Sequence, residues 1–580
     1  MCNSTQLERW QAENVKLLRE NGVELKIIIL NNNKPTRIST VKKIFTYLYK
    51  KIIFRVYNRY LLKPLSKQAV DIIKQIAEIE QLKCVTKQKG FTDRFSENDI
   101  KKIKSCNLDF ILRFGFNIIR GDILYSAKHG VWSFHHDDEN KYRGGPPGFW
   151  EIFKKDPVNA VILQKLTDKL DAGIILKKGF YKTINHSYSA NIDQIYFESE
   201  KFPLQLCKDL VNGIDNQFSS NTKATIFHVP ENFKMIYFLL KLLKNKIHFH
   251  FIELFLIEDW NAAIIEKPIE EILKNNSLNK VKTPFISKEI SKEELLYCPK
   301  GIRIKSGSQK DKLKIRWLPK PKNSMFSADP FLFNDKNGDS NIIFENYDYR
   351  ERKGKISSAI IDKENKIIHD VIEEDYHLSF PFIFNNNNNI YCIPESFENN
   401  QISLYKYDES CEKFQFIKPL IENIAAVDTI LFKHENLWWL FFTKKDLPSV
   451  NLYAHYSEEF DGIFKEHKNN PIKIDIRSSR PAGAPFYYNN KLCRPAQDCA
   501  KTYGDKVHIM QIEKLSPTEF KEKIIETIMP VENSKFYRGI HTINSDGKNT
   551  VIDGKRFIFN SKNFIFQLKR KTLKLIKSND

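Results

Sequence analysis

The stretch "GVWSFHHDDENKYRGGPPGFW", residues 130–150, holds the densest set of reactive side chains in this chain. His135 and His136 are followed at once by Asp137 and Asp138, and then by Arg143 and Gly144. Two adjacent histidines beside two carboxylates first bring a metal ion to mind. A histidine working with a carboxylate also serves acyl-type transfer, where donors meet a developing oxyanion and a base takes the proton of the attacking amine. Packing gives no reason for the arginine eight positions after His135, and its forked donor suits a phosphate. A further carboxylate, Asp171, stands in "LTDKLDAGIIL" just before an apolar run.

The elements that must position these side chains follow from periodicity. Residues 6–21 carry helical apolar spacing, and "VELKIIIL" reads as a buried strand. Ser96 with Asp99 three residues on predicts a helix start. "DFILRFGF" reads as another buried strand, followed by a short helix near "RGDILYSA" and the strand "GVWSF". Strands alternating with helices to about residue 182 predict a parallel, Rossmann-like α/β domain. Residues 40–63, basic and aromatic, predict a helix packed on that domain, and residues 186–257 are mostly helical.

Beyond residue 258 the character changes. "ADPFLFNDKNGDSNIIFE", "SFPFIFNNNNNIYCIPES", "VDTILFKHENLWWLFFT", "GAPFYYNNKLCRPAQD" and "GIHTINSDGKNTVIDG" repeat one strand-turn-strand opening every 40 to 60 residues or so. Such recurrence predicts the blades of a propeller, five of them. The expected organisation is therefore an α/β domain over 1–185, a helical connector over 186–257 and an all-β five-bladed propeller over 258–580.

Bulk properties narrow the function classes. The chain has 580 residues, enough for two or three domains. Its formal net charge is +21, yet no Arg-rich run or basic-aromatic nucleic-acid motif accompanies it. The lysines read as dispersed over solvated faces, so no nucleic-acid partner is expected. A basic surface still favours anionic ligands such as nucleotide sugars or folates. The nine cysteines are scattered without a C-x-x-C pair, which predicts a reduced, cytoplasmic protein. The N-terminal "MCNSTQLERWQAEN" lacks the layout of a signal peptide. The apolar stretch 235–257 carries Lys241, Lys244, Lys246, His248, His250 and Glu253. It predicts an amphipathic connecting helix rather than a membrane span, with contact to a membrane surface as the lesser alternative.

Over roughly residues 20–185 the His135–Arg143–Gly144 spacing together with "LDAG" resembles the folate-dependent formyltransferase family. That family includes methionyl-tRNA, glycinamide ribonucleotide and sugar N-formyltransferases. The resemblance implies 10-formyltetrahydrofolate as donor, its pterin cradled by the loop at Phe114, Gly115, Phe116 and Ile118. It implies that His135 supports the oxyanion and that Asp171 sets the protonation of His135. Arg143 and Gly144 would shape the acceptor loop, and no metal is implied. Two departures stand out. Ser133 occupies the place of the family's asparagine, and losing one such donor typically costs about a hundred- to thousand-fold in rate. His136, Asp137 or Asp138 would then share the task. The chain also leads almost directly into its first helix, without the family's opening strand, which predicts an open slot in the sheet.

The blade region resembles the N-terminal domain of glucosamine inositolphosphorylceramide transferase and, more distantly, the five-bladed propellers of glycoside hydrolases. Asp329 in "SADPF" and Asp428 in "VDTI" fall where those hydrolases carry central carboxylates. Glu345, Glu395, Arg494, Gln497, His541 and Asp553 are further polar residues at blade-like positions. They are expected either to line a sugar site or to satisfy turns around a polar channel, since hydrolysis needs two carboxylates in different protonation states. The leading expectation is formyl transfer to a nucleotide-linked amino sugar in surface-glycan biosynthesis. The alternative is a carbohydrate-binding or glycoside-processing propeller with a degenerate formyltransferase-like part. Ser133 separates the two.

Overall fold

The apolar run Ile27–Asn31 forms a buried strand (β1) that pairs in parallel with Glu80–Cys84 (β2). Ahead of it lies helix α1, Arg9–Glu20, which turns Trp10, Asn14 and Leu18 into the core. The computed structural model describes the chain apart from residues 34–48, 73–76, 169–172, 215–216, 220–221, 223, 278–301, 306–313, 320–325, 362–367, 562–563 and 566–580. Two compact units emerge, Met1–His250 and Phe251–Asp580.

In the first unit, Ile111–Arg113 (β3) pairs in parallel with Val131–His135 (β4). The slot expected between β1 and β3 is partly filled by the chain's first residues. Cys2 N–H donates to the Ile29 carbonyl at 3.0 Å and Phe114 N–H to the Met1 carbonyl at 2.8 Å. The Met1 ammonium donates to the Leu112 carbonyl at 2.9 Å, and burial pushes that amine below its ordinary value. Next to this bridge an apolar cavity of about 570 Å³ remains, lined by Val15, Leu18, Ile27, Leu108 and Ile111 among others.

The parallel sheet expected from the sequence is found only in part. Val158–Lys165 (β5) runs antiparallel to β4, and Ile174–Lys182 (β6) antiparallel to β5. Between β5 and β6 only residues 166–173 intervene, too few for the crossover that a parallel return requires. Around the sheet lie Ile52–Val56 (α2), Glu97–Ser105 (α3), Phe149–Lys154 (α4), Tyr188–Ser199 (α5), Phe202–Val211 (α6) and Asn232–Phe255 (α7). Helix α3 begins as expected, with Ser96 Oγ accepting from Asp99 N–H at 3.1 Å. Among the described residues no helix is long and apolar enough to cross a membrane.

The second unit is a propeller-like set of five antiparallel meanders. Blade I is Phe326–Asn334, Ser340–Asp348, Lys353–Ile360 and His369–Ile372. Blade II is Ser379–Asn386, Asn389–Glu395, Gln401–Asp408 and Lys413–Glu422. Blade III is Ala426–His434, Leu437–Lys444, Asn451–Ser457 and Lys465–Glu466. Blade IV is Phe486–Tyr488, Lys491–Asp498, Lys506–Leu515 and Phe520–Glu532, with Ile302–Lys305 on its edge. Blade V joins Ile543–Ser545 and Thr550–Phe559 to Leu256–Ile265 and Ile315–Trp317. Each of the five repeated segments is the opening hairpin of one blade, and the asparagine run 385–389 is the hairpin turn of blade II.

One irregularity recurs. The ladder of the first hairpin slips between Ala328 and Phe331, between Ser379 and Phe382, and between Val427 and Ile430. At each slip one residue has left-handed backbone: Asp329 (φ 52°), Phe380 (φ 39°) and Asp428 (φ 49°). A bulge re-aims the side chain it carries. Aspartate tolerates this conformation better than most residues, whereas a bulky aromatic does not, so Phe380 holds the same place under greater strain.

Candidate functional site

In the first unit, β4 carries Ser133 and His135, and Arg143–Gly144 closes the loop by pairing in parallel with Ile226–Phe227. Gly144 is required there, since a side chain would bring Cβ to 2.1 Å from the Phe227 carbonyl oxygen. His135 is half-buried, with Nε2 3.4 Å from the Tyr142 carbonyl oxygen, and Arg143 Nη1 donates to the Ala224 carbonyl at 3.2 Å. Asp171 lies outside the described residues.

Ser133 has a partner that sequence reading missed. Arg113 sits beside it in the parallel register of β3 and β4 and donates from Nη1 to Ser133 Oγ at 2.9 Å. Nη2 of the same guanidinium donates to the carbonyls of Phe116 at 3.0 Å and Asn117 at 2.7 Å. The clue was a charge ending an otherwise apolar strand, "DFILRFGF". This arginine also sets the loop expected to cradle a pterin. Phe116 N–H donates to Asn3 Oδ1 at 2.9 Å and Asn117 N–H to Asp93 Oδ2 at 2.8 Å. Gly115 is fixed by close approach, because a Cβ would lie 2.6 Å from Asn3 N. Phe114 meets Trp10 edge-on at 5.4 Å, Phe116 is buried and Ile118 is exposed. The amide donors at 116 and 117 are thus engaged internally. Their carbonyls retain a second lone pair each, which fits the amino edge of a pterin.

The other expected substrate residues turn inward. His136 stacks on Tyr196 at 3.8 Å, its Nε2 3.2 Å from Ser199 Oγ, and burial drives its pKa well below the ordinary value. Asp137 accepts from Gly148 N–H at 3.0 Å at the start of α4. Burial raises its pKa to about 6, while the buried Glu151 nearby is pushed well above its usual range by burial and by Asp137. Asp138 and Glu139 are both gripped by Lys178, at 3.0 and 2.8 Å. A cavity of about 510 Å³ lined by Arg59, Lys63, Lys67, Pro146, Pro147 and Tyr188 lies at the proline end of the loop.

The second unit brings its polar residues to a common centre. Opposite the first-strand residue of each blade stand Glu345, Glu395, Thr443, Gln497 and Asp553 on the second strands. Two of these acids hold bulges of a neighbouring blade: Asp553 Oδ2 accepts from Asp329 N–H at 3.2 Å, and Glu395 Oε2 from Asp428 N–H at 2.9 Å. Asp553 also accepts from the His541 and Thr542 amides at 2.9 and 3.1 Å. His541 lies between two aspartates, Nε2 at 3.0 Å from Asp329 Oδ1 and Nδ1 at 2.7 Å from Asp553 Oδ2. Burial alone would discharge this imidazole, but Asp553 and Asp329 hold its pKa well above the ordinary value. Asp329, His541 and Asp553 converge closely enough to offer three ligand atoms to a cation. Both ring nitrogens face carboxylates, an arrangement that also suits a protonated imidazole.

Asp428 is engaged differently. Arg480 Nε lies 2.5 Å from its Oδ2 and Gln497 Nε2 donates to the same oxygen at 2.7 Å, which marks a buried ion pair. Arg494 departs from the expected site. It is fully buried, paired with Glu522 at 2.7 Å, and donates to the Ser478 carbonyl.

Asp329 and Glu345 remain, and both line a cavity of about 340 Å³ with Glu395, His541, Trp260, Tyr347, His377, Lys445, Arg480 and Tyr503. Burial would raise Asp329, yet His541 and the Thr542 hydroxyl override it and keep the carboxylate ionised. Glu345 is pushed well above its range by burial, then by Asp329 and Glu395. Its nearest cationic candidate, His377 Nε2, is 3.8 Å away, and burial lowers the pKa of that ring too. Asp329 is thus biased toward its charged form and Glu345 toward its neutral form, in a cavity walled by aromatic rings.

The two parts of the chain resemble different proteins. Residues 319–554 match the family described as glucosamine inositolphosphorylceramide transferase 1, N-terminal. The transferase of that name from Oryza sativa subsp. indica is 35% identical over 209 residues, 34% of this chain and 28% of the relative. Its Arabidopsis thaliana counterpart is 36% identical over 225 residues, 37% of this chain and 28% of the relative. The N-terminal part is similar to methionyl-tRNA formyltransferase from Prochlorococcus marinus, 27% identical over 157 residues, 27% of this chain and 45% of that enzyme. The chain therefore spans less than half the length of each of these relatives. Among solved structures, B. megaterium levansucrase aligns with a TM-score of 0.26 at 12% identity, covering 36% of this chain and 68% of that one. A thermostable family-43 glycoside hydrolase aligns with a TM-score of 0.27 at 12% identity, covering 36% and 77%.

Proposed function

We propose that the chain acts on carbohydrate at two sites, the first unit moving a formyl group from 10-formyltetrahydrofolate to the amine of a phosphate-bearing amino sugar. The observation that carries this reading is the basic cavity of Arg59, Lys63 and Lys67 at the proline end of the loop that begins at His135. An anionic acceptor would be drawn there, and the similarity to methionyl-tRNA formyltransferase supplies the reaction class. The donor, when bound, supplies the formyl group. On this reading His135 supports the oxyanion that forms as the amine attacks, and Arg113 holds the 116–117 loop through its hydrogen bonds. Full-length protein incubated with 10-formyltetrahydrofolate and nucleotide-linked amino sugars is expected to give a product heavier by one formyl group. His135→Ala is expected to lower that rate by about 100- to 1,000-fold. No formylated product from any acceptor in the panel sinks the reading.

A second reading is favoured by the split protonation of Asp329 and Glu345. A neutral acid beside an ionised carboxylate is what glycosidic chemistry uses, and the flanking rings suit sugar faces. Under this reading Glu345→Gln abolishes glycan cleavage but leaves glycan binding in place, as measured by product release and by calorimetry. A wild-type protein that binds glycans and cleaves none confines the cavity to recognition.

A further inference from the structure

Helix α7 is apolar on two opposite sides. One side packs into the first unit through Met235 and Phe238, the latter stacked on Phe149 at 4.2 Å. Asn245 Nδ2 ties the same side to the Asn185 carbonyl at 2.9 Å. The other side presents Phe233, Ile236, Tyr237, Leu240, Leu243 and Ile247, spaced as a single helical stripe. Phe233 is 84% exposed and Leu240 and Ile247 are each 63% exposed. A second apolar edge meets this stripe at its start: Asn232 Oδ1 accepts from Ile53 N–H at 3.1 Å, and Asn232 Nδ2 donates to the Tyr49 carbonyl at 2.6 Å. That edge exposes Tyr49, Ile52, Val56, Tyr60 and Leu61. Isolated exposed apolar residues need no explanation, but two contiguous rows do.

Within the two rows themselves the charges are of one sign, with Glu231 and Glu253 flanking the helical row. Residues 49–63 and 232–250 contain nine lysines and arginines and no aspartate or glutamate. A protein partner's apolar face needs no such ring of lysines, whereas an anionic lipid surface does. The tyrosines also suit the boundary between headgroups and acyl chains.

We propose that this face of the first unit docks on an anionic lipid bilayer, lying in the interface without crossing it. The docking does not depend on which reaction the first unit performs. Full-length protein is to be sedimented with vesicles of phosphatidylcholine alone and of phosphatidylcholine with one-quarter phosphatidylglycerol, at two salt concentrations. Binding to the anionic vesicles is expected to exceed binding to the neutral ones by about tenfold or more and to weaken with salt. Leu240→Glu with Leu243→Glu, both on the solvent side, is expected to remove the binding while leaving the melting temperature unchanged. Phe233→Ser serves as a second variant should the first lower the melting temperature. Equal binding to both vesicles, or unchanged binding by the variants, overturns the proposal. So does sedimentation velocity showing a dimer that the same variants dissociate, since a second copy would then cover the face.

Discussion

Replacing His541 with leucine is expected to destabilise the second unit by about 3–5 kcal/mol, the range for breaking one partner of a buried ion pair. The imidazolium lies within 3.0 Å of both Asp329 and Asp553; Asp553 accepts from the amides of residues 329, 541 and 542, and Asp329 from the Thr542 hydroxyl. Without the cation two buried carboxylates face one another. The pH dependence gives a sharper test. His541 is held protonated above its ordinary value, so its contribution is complete below about pH 6.5 and disappears as pH rises through the raised folded value. Glu345, also raised, adds to the same trend, because its ionisation at higher pH favours the unfolded chain. The wild-type melting temperature should therefore fall from pH 6.5 upward. In His541→Leu the alkaline decline shrinks, and acid stabilises the variant as the orphaned carboxylates take up protons. Parallel melting curves for the two proteins between pH 5 and 9 would show that His541 does not carry the charge.

Placing at position 133 the asparagine of the formyltransferases that the first unit resembles is expected to damage the protein rather than improve it. Ser133 is 3% exposed and its hydroxyl is held by Arg113. An amide adds two heavy atoms to a closed space, and overpacking of this kind costs about 1–3 kcal/mol. It also pushes on the guanidinium that fixes the 116–117 carbonyls, so the proposed formyl transfer should fall with stability. Ser133→Asn combined with Arg113→Ser relieves the crowding, and the pair should be less harmful than the sum of the singles. Urea unfolding and kcat/KM on the four proteins give the coupling. An additive cycle, or a gain from Ser133→Asn alone, would contradict the packing described for β3 and β4.

The second unit was more legible in the sequence than the first because its signals are local. Each blade opens with a hairpin whose turn is written in adjacent residues, from "NDKNGDSN" in blade I to "NSDGKN" in blade V. Asp329, Glu345, Asp428 and His541 were recognisable by type, since a polar residue inside an apolar strand must meet something. Which of them stays available was not legible. That Glu395 and Asp553 hold backbone amides while Glu345 does not depends on contacts between blades. Arg480, Trp260 and Tyr503 reach the cavity from distant segments and carry no local mark. In the first unit the apolar runs predicted strands correctly but not their direction, because β5 and β6 read alike whether parallel or antiparallel. The pairing of Arg113 with Ser133 escaped for the same reason: it is a register fact, and a single strand does not declare its neighbour.

Blade V sets a clock on the protein's birth. Its strand Leu256–Ile265 pairs on one side with Ile315–Trp317 but finds its other partner only in Thr550–Phe559, close to 300 residues later in the chain. At synthesis rates of about 5–20 residues per second the first strand waits roughly 15–60 s for the last. Throughout that time the open edge of an unfinished ring faces the cell, able to pair with any other strand. A nascent chain stalled before residue 550 is therefore a different object from the finished protein, sticky along one edge, and in need of escort until the ring is complete.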